Sequence, residues 1–127
     1  MSILFKPVPK TTSIKSVNNK IYHAKTITNG TLEFEALLKI ISKKSNIHYT
    51  DCMRFFLYFE ETLKEELENG KIIRLNELGS LQIGATAKSV SSIDEVTAAT
   101  ITKPHINFRT GKEFKKMLET LVFKKVK

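Results

Sequence analysis

The sequence predicts one α+β domain: two helices, a hairpin with an arm, a return strand and a short last helix, behind a strand-forming extension. Three observations carry this expectation. Residues 31–68 place apolar side chains at helical spacing. GKIIRLNELGSLQIG (70–84) is two short apolar runs around a Leu-Gly turn. INFRTGKEFKKML (106–118) alternates like a strand, then passes through Thr-Gly-Lys into a basic amphipathic helix. A length of 127 residues suits a single domain with a real core.

The elements follow in order. Ile3–Val8 and Lys20–Ile27 read as strands, separated by a loop rich in Ser, Thr and Asn. Pro7 and Pro9 would put the first strand on a sheet edge. Thr31 suits an N-cap, with Glu33 and Glu35 in the first turn of a helix reaching about Lys44. Phe34, Leu37, Leu38 and Ile41 form its stripe. A second helix should cover Tyr49–Glu68, capped by Thr50 or by His48 with Asp51 as the reciprocal acid, and should stop at Asn69-Gly70.

That second helix is apolar on more than one side. Met53, Phe55, Phe56, Leu57, Phe59 and Leu63 exceed what one small domain can cover, so a homodimer through this helix is expected. Cys52 among them reads as a buried small hydrophobe. Next, Ile72, Ile73 and Leu75 make one strand, and Leu81, Ile83 and Ala85 alternate in its partner. Residues 86–100 are small and weakly apolar, and suit exposed strands or an arm. A strand over about Thr100–Arg109 turns Ile106 and Phe108 one way and His105, Asn107 and Arg109 the other. Lys112–Leu121 should be a helix burying Phe114, Met117, Leu118 and Leu121. The tail from Val122 alternates like a strand.

The formal net charge is +8. Residues 1–30 carry +5 with no acid, 31–70 carry −3, 71–102 balance, and 103–127 carry +6. Both basic ends on one surface would attract a polyanion. No apolar run is long enough to span a membrane, and Lys6, Pro7 and Pro9 interrupt any secretory apolar region. One cysteine makes no disulfide framework, so the cytoplasm is the expected compartment. His23, His48 and His105 lack metal-ligand spacing, and no nucleophile–base pattern, Walker loop or paired-carboxylate arrangement occurs. No cofactor, small-molecule substrate or enzymatic role is expected. The Thr-Gly-Lys junction is the chemical feature: free amides at a helix start, together with Lys112, Lys115 and Lys116, suit phosphate.

The order helix, helix, hairpin, arm, return strand and basic helix resembles the HU and integration-host-factor family of bacterial histone-like proteins. Gly70, Leu75, Leu78, Gly79, Leu81 and Ile83 are in register with that family's G-(K/D)-x-V-x-L-x-G-F-G-x-F-x-V block. Phe108, Arg109, Gly111, Lys112 and Lys115 are in register with its F-(K/R)-P-G-K-x-(L/F)-K run. The resemblance covers about residues 31–118; the N-terminal strands and the tail resemble a longer HU-related branch. It implies an intertwined homodimer, with residues 1–30 as an extension, 31–121 as the HU-like core and 122–127 as a tail strand. It further implies a nucleoid protein whose arms reach around double-stranded DNA in the minor groove with little base reading. Lys88, Lys103, His105, Arg109, Gly111, Lys112, Lys115 and Lys116 are the DNA-contact candidates. The chain departs from the family at the arm tip, where SVSSIDEV (89–96) has two acids and no Pro to wedge between base pairs, and at Thr110, which replaces the usual Pro. The competing expectation, motivated by the acidic arm tip and the basic extension, is an HU-like structural or adaptor dimer that binds a protein partner.

Overall fold

The computed structural model describes residues 1–10 and 21–126; the expected 10–19 loop lies, but for Lys10, outside them. Over the described residues the fold is mixed α+β with three helices and two three-stranded sheets. Strands β1 (Ile3–Pro9) and β2 (Tyr22–Ile27) precede helices α1 (Phe34–Ser45) and α2 (Tyr49–Glu68). Strands β3 (Ile73–Arg74), β4 (Gly79–Ala87) and β5 (Ile101–Thr110) follow, then helix α3 (Lys112–Glu119) and strand β6 (Phe123–Lys125). One sheet has the order β2-β1-β6 and joins the two ends of the chain; the other is β3-β4-β5.

The terminal sheet corrects the expectation that β1 is an edge strand, because β1 is central. The reason its prolines are tolerated is local. Lys10 donates its amide to the Ile21 carbonyl at 2.7 Å, so even-numbered residues of β1 bond to β2 and odd-numbered ones face β6. β6 pairs only with Ile3, Leu4 and Phe5. Pro7 and Pro9 therefore direct their missing donors past the end of β6, where no ladder bond is forfeited.

Helix α1 starts two residues later than a Thr31 cap would place it. Glu33 occupies the cap position with extended backbone and no side-chain hydrogen bond. Phe34, the first helical residue, packs edge-on against Phe56 of α2 with ring centroids 5.0 Å apart. The tertiary contact, rather than a capping hydroxyl, fixes this end. At the start of α2 the ambiguity resolves to His48, whose Nδ1 accepts the Thr50 amide at 3.2 Å. Between the helices Asn46 takes the left-handed conformation, which Asn tolerates better than most residues.

The buried apolar side chains among the described residues are Leu38, Cys52 and Leu67. They mark the seam between α1 and α2 and the side of α2 under the second sheet. Leu63 and Leu67 of α2 face Leu81, Ile83 and Ile106 across a shallow apolar cleft. Strand β3 is shorter than Ile72–Leu75, because Leu75 already turns and donates its amide to the Gly79 carbonyl at 2.7 Å. Residues 88–100 are an exposed loop of short turns; the paired strands end at Ala87 and Ile101.

Helix α3 ends at Glu119, and its expected buried stripe is exposed: Phe114, Met117 and Leu118 face solvent and Leu121 is half-buried. Among the described residues no element covers the stripe fully. The same holds across the molecule. The chain exposes 11644 Å², where a compact monomer of this length would expose about 6,900 Å². The excess is apolar in part, since Phe55, Leu57, Ile106 and Phe108 are all more than half exposed.

Candidate nucleic-acid interface

The β3-β4-β5 sheet has two unlike faces, and its register says which residues share each. Ile73, Leu81 and Phe108 form one row and Ile83 and Ile106 another, on the face toward α2. On the opposite face Arg74, Ser80 and Arg109 stand side by side across the three strands, followed by Gln82 with Asn107 and by Gly84 with His105. No acidic residue lies in any of the three strands. Arg74 escapes a sequence reading that counts the apolar members of its run. The signal is nonetheless present: Arg74 alternates with Ile73 and Leu75, so it must point away from them.

Gly84 gives this face a shallow centre. A Cβ there would come within 2.7 Å of Asn107 Nδ2 and 2.9 Å of His105 Nε2. The two side chains lean over the bare backbone, and His105 Nδ1 lies 3.2 Å from the Lys103 carbonyl. Toward the arm the ladder slips. Ala85 pairs with Pro104 but Thr86 pairs with Thr102, leaving Lys103 as the extra residue of a β-bulge with φ +45°. A bulge re-aims the side chain it carries, and a positive φ is costly for lysine. Sequence reading finds Lys103 but not its bulge, which depends on the offset of two strands. Lys88 closes the arm base by donating its amide to the Thr100 carbonyl at 2.8 Å; its side chain is exposed.

At the other end of β5 the chain enters α3 through Gly111, the N-cap residue. Its backbone is extended, so conformational freedom does not explain it. Packing does: a Cβ would overlap the Glu77 carbonyl oxygen, while the Gly111 amide donates to the Leu78 carbonyl at 3.0 Å. The start of α3 is therefore seated on the β3–β4 turn. The first helical amides of α3 have no intrahelical acceptor and no side chain caps them. Lys112, Lys115 and Lys116 fall on one side of the helix at i, i+3 and i+4. Lys116 approaches Glu113 at 3.8 Å, an exposed and weak pair that leaves most of its charge available. The structure thus brings Arg74, Arg109, Gly111 and the α3 lysines to one corner, and puts Lys88 and Lys103 at the far end of the same sheet.

The residues expected at a dimer interface divide. Phe56 and Phe59 pack within the chain, their ring centroids 5.6 Å apart, and Leu63 faces the sheet. Phe55 stacks on Phe59 at 6.0 Å yet remains 67% exposed, and Leu57 is 62% exposed. Met53 is half-buried and borders the same outer surface as Leu57. Among the described residues no cluster of His, Cys, Asp and Glu could hold a metal ion, and no helix is long and apolar enough to cross a membrane.

Comparison with known proteins adds three findings. The HU-HIG family model, an HU domain fused to wHTH, Ig or glycine-rich motif, matches residues 1–125. The fold is similar to that of a "Putative bacterial DNA binding protein" from Bacteroides vulgatus ATCC 8482, with a TM-score of 0.67 and 16% identity over 98% of this chain and 48% of that one. The chain so spans about half the length of that protein. No curated protein matches the chain.

Proposed function

Because this chain belongs to the HU-HIG family, we propose that it binds double-stranded DNA as a homodimer, through phosphate contacts and with little reading of base sequence. The observation that carries this reading is the polar sheet face, with no acid in its strands, that runs from Arg74 and Arg109 into the seated start of α3. Arginines, free amides and lysines converge there, and these groups position a protein on a nucleic-acid backbone. Lys88, Lys103 and His105 extend the surface toward the arm, giving the contact set Lys88, Lys103, His105, Arg109, Gly111, Lys112, Lys115 and Lys116, with Arg74 added. The domain is read as an HU-like core over residues 31–121, with residues 1–30 and 122–127 supplying the terminal sheet.

The dimer accounts for the uncovered apolar surface. A second copy laid on the outer side of α2 would cover Phe55, Leu57 and Met53, and the apolar sheet rows would find partners in the same assembly. DNA-bound proteins of this kind lie in the bacterial nucleoid, and an architectural role follows from sequence-tolerant binding. Without Pro at the arm tip, sharp bending by a wedge between base pairs is not part of the proposal.

A second reading rests on the arm. Ile93 is 90% exposed beside Asp94 and Glu95, with Val96 also open. An apolar and acidic tip suits a protein partner better than a phosphate backbone. The deciding experiment is a gel-shift titration on duplex and single-stranded DNA at two salt concentrations. Duplex binding that falls steeply with salt supports the DNA reading; salt-insensitive or absent duplex binding supports the adaptor.

A further inference from the structure

The terminal sheet has a face that the proposed α3 contact does not use. Register assigns Leu4, Lys6 and Val8 of β1 to the same face as Ile27, Lys25 and His23 of β2. Lys124 of β6 pairs with Leu4 and joins them. Three lysines thus share the face: Lys25 and Lys6 directly opposed, and Lys124 on the third strand, diagonal to Lys6 by two residues. All three are exposed. The strands contain no Asp or Glu, and neither does any of residues 1–30. The ion pairs among the described residues are Lys71–Glu66 and Lys116–Glu113, and neither reaches this face.

Lys6 and Lys25 are directly opposed across the ladder. Like charges in that position destabilise a sheet. Lysines on edge strands guard against edge-to-edge aggregation, which would account for Lys25 and Lys124. It accounts less well for Lys6, because the open side of β1 beyond β6 is already blunted by Pro7 and Pro9. A repulsive Lys6–Lys25 pair with Lys124 diagonal to it, and no counter-charge in the sheet, is relieved by an anion bound across it.

We propose that this face is a second phosphate-contacting surface for duplex DNA, a step that rests on the proposed DNA binding. Geometry supports the partner. Strands lie about 4.8 Å apart and rise about 3.3 Å per residue, so the diagonal from Lys25 to Lys124 spans about 12 Å, enough for two or three successive phosphates of one DNA strand at about 3.4 Å of axial rise each. The face is also tethered to the first surface: only Thr120–Val122 separate α3 from β6, a reach of at most about 14 Å from Glu119 to Phe123. A duplex lying on the α3 corner is within range of it.

The test compares the salt dependence of duplex binding by the full chain with that of the K6A/K25A/K124A variant and of a K39A/K43A/K44A control that removes equal charge from α1. The expected result is a slope in log affinity against log salt smaller by ~2 to 3 for the sheet variant, with no fall in its melting temperature. The control should keep the wild-type slope. A sheet variant with the wild-type slope overturns the proposal and leaves the α3 surface standing, as does a control that flattens the slope equally. A wild type that does not bind duplex at low salt overturns both readings. Should the alanine variant fold poorly, K6Q/K25Q/K124Q keeps the side-chain length and carries the same expectations.

Discussion

Gly111 lies against the backbone of Glu77 so closely that no Cβ fits between them. This packing, backed by the hydrogen bond from the Gly111 amide to Leu78, fixes the direction in which α3 leaves the sheet. Gly111→Ala must push the helix start off the turn. Overpacking of this kind costs about 1–3 kcal/mol. A lowered melting temperature and a weakened duplex affinity are expected together; an unchanged melting temperature would show that the turn yields.

The α3 lysines should act on every DNA sequence alike. Lys112→Ala with Lys116→Ala is expected to weaken duplex binding uniformly and reduce the salt slope by about 0.9 for each phosphate that is no longer neutralised. Ile93→Ala or Val96→Ala at the arm tip should do much less. Gel shifts on two unrelated duplexes at two salt concentrations measure both. Arm-tip variants that abolish binding while the lysine variants retain it would move the DNA-binding surface to the arm.

Lys103 offers a trade between stability and binding. Its positive φ costs a non-glycine residue about 1–2 kcal/mol, offset in part by the roughly 0.5–1 kcal/mol of extra chain entropy that glycine loses. Lys103→Gly should leave the chain as stable or slightly more so, yet bind duplex less tightly. A thermal melt beside a binding titration tests this, and equal affinity would make the bulge a purely structural feature.

The outward side of α2 should hold the dimer. Phe55→Ala and Leu57→Ala remove side chains with little cover in one chain, so their loss should be read in association; a fully buried Phe is worth about 3–5 kcal/mol. Sedimentation at micromolar concentration should show the variants dissociating. A wild type that sediments as a stable folded monomer would contradict the dimer itself.

Much of this architecture is legible locally. The bounds of α2 follow from its apolar spacing and the Asn69-Gly70 stop, and the two faces of β5 follow from alternation. What stays hidden depends on pairing between distant residues. Pro7 and Pro9 argue for an edge until β6 proves too short to reach them. The bulge at Lys103 exists only as an offset between Ala85 and Thr86 and their partners. Arg74 reads as an interruption in an apolar run until Ser80 and Arg109 lie beside it. The stripe of α3 reads as buried because amphipathic spacing says that a face is to be covered and not which molecule covers it.

The pairing of Ile3 with Phe123 sets an order of events during synthesis. The β1–β2 hairpin can form once some thirty residues have emerged, but its inner strand keeps a row of open amides and carbonyls at Ile3 and Phe5 until the last strand arrives. Such non-local closure is slow, and an open strand edge invites pairing with other chains. The growing polypeptide is thus most vulnerable to aggregation through the interval in which its helices and second sheet are being made. Deleting residues 1–28 would remove that hazard from the nascent chain and transfer it to β6 in the finished one. The truncated protein should therefore show a lower melting temperature or solubility even where its synthesis proceeds cleanly.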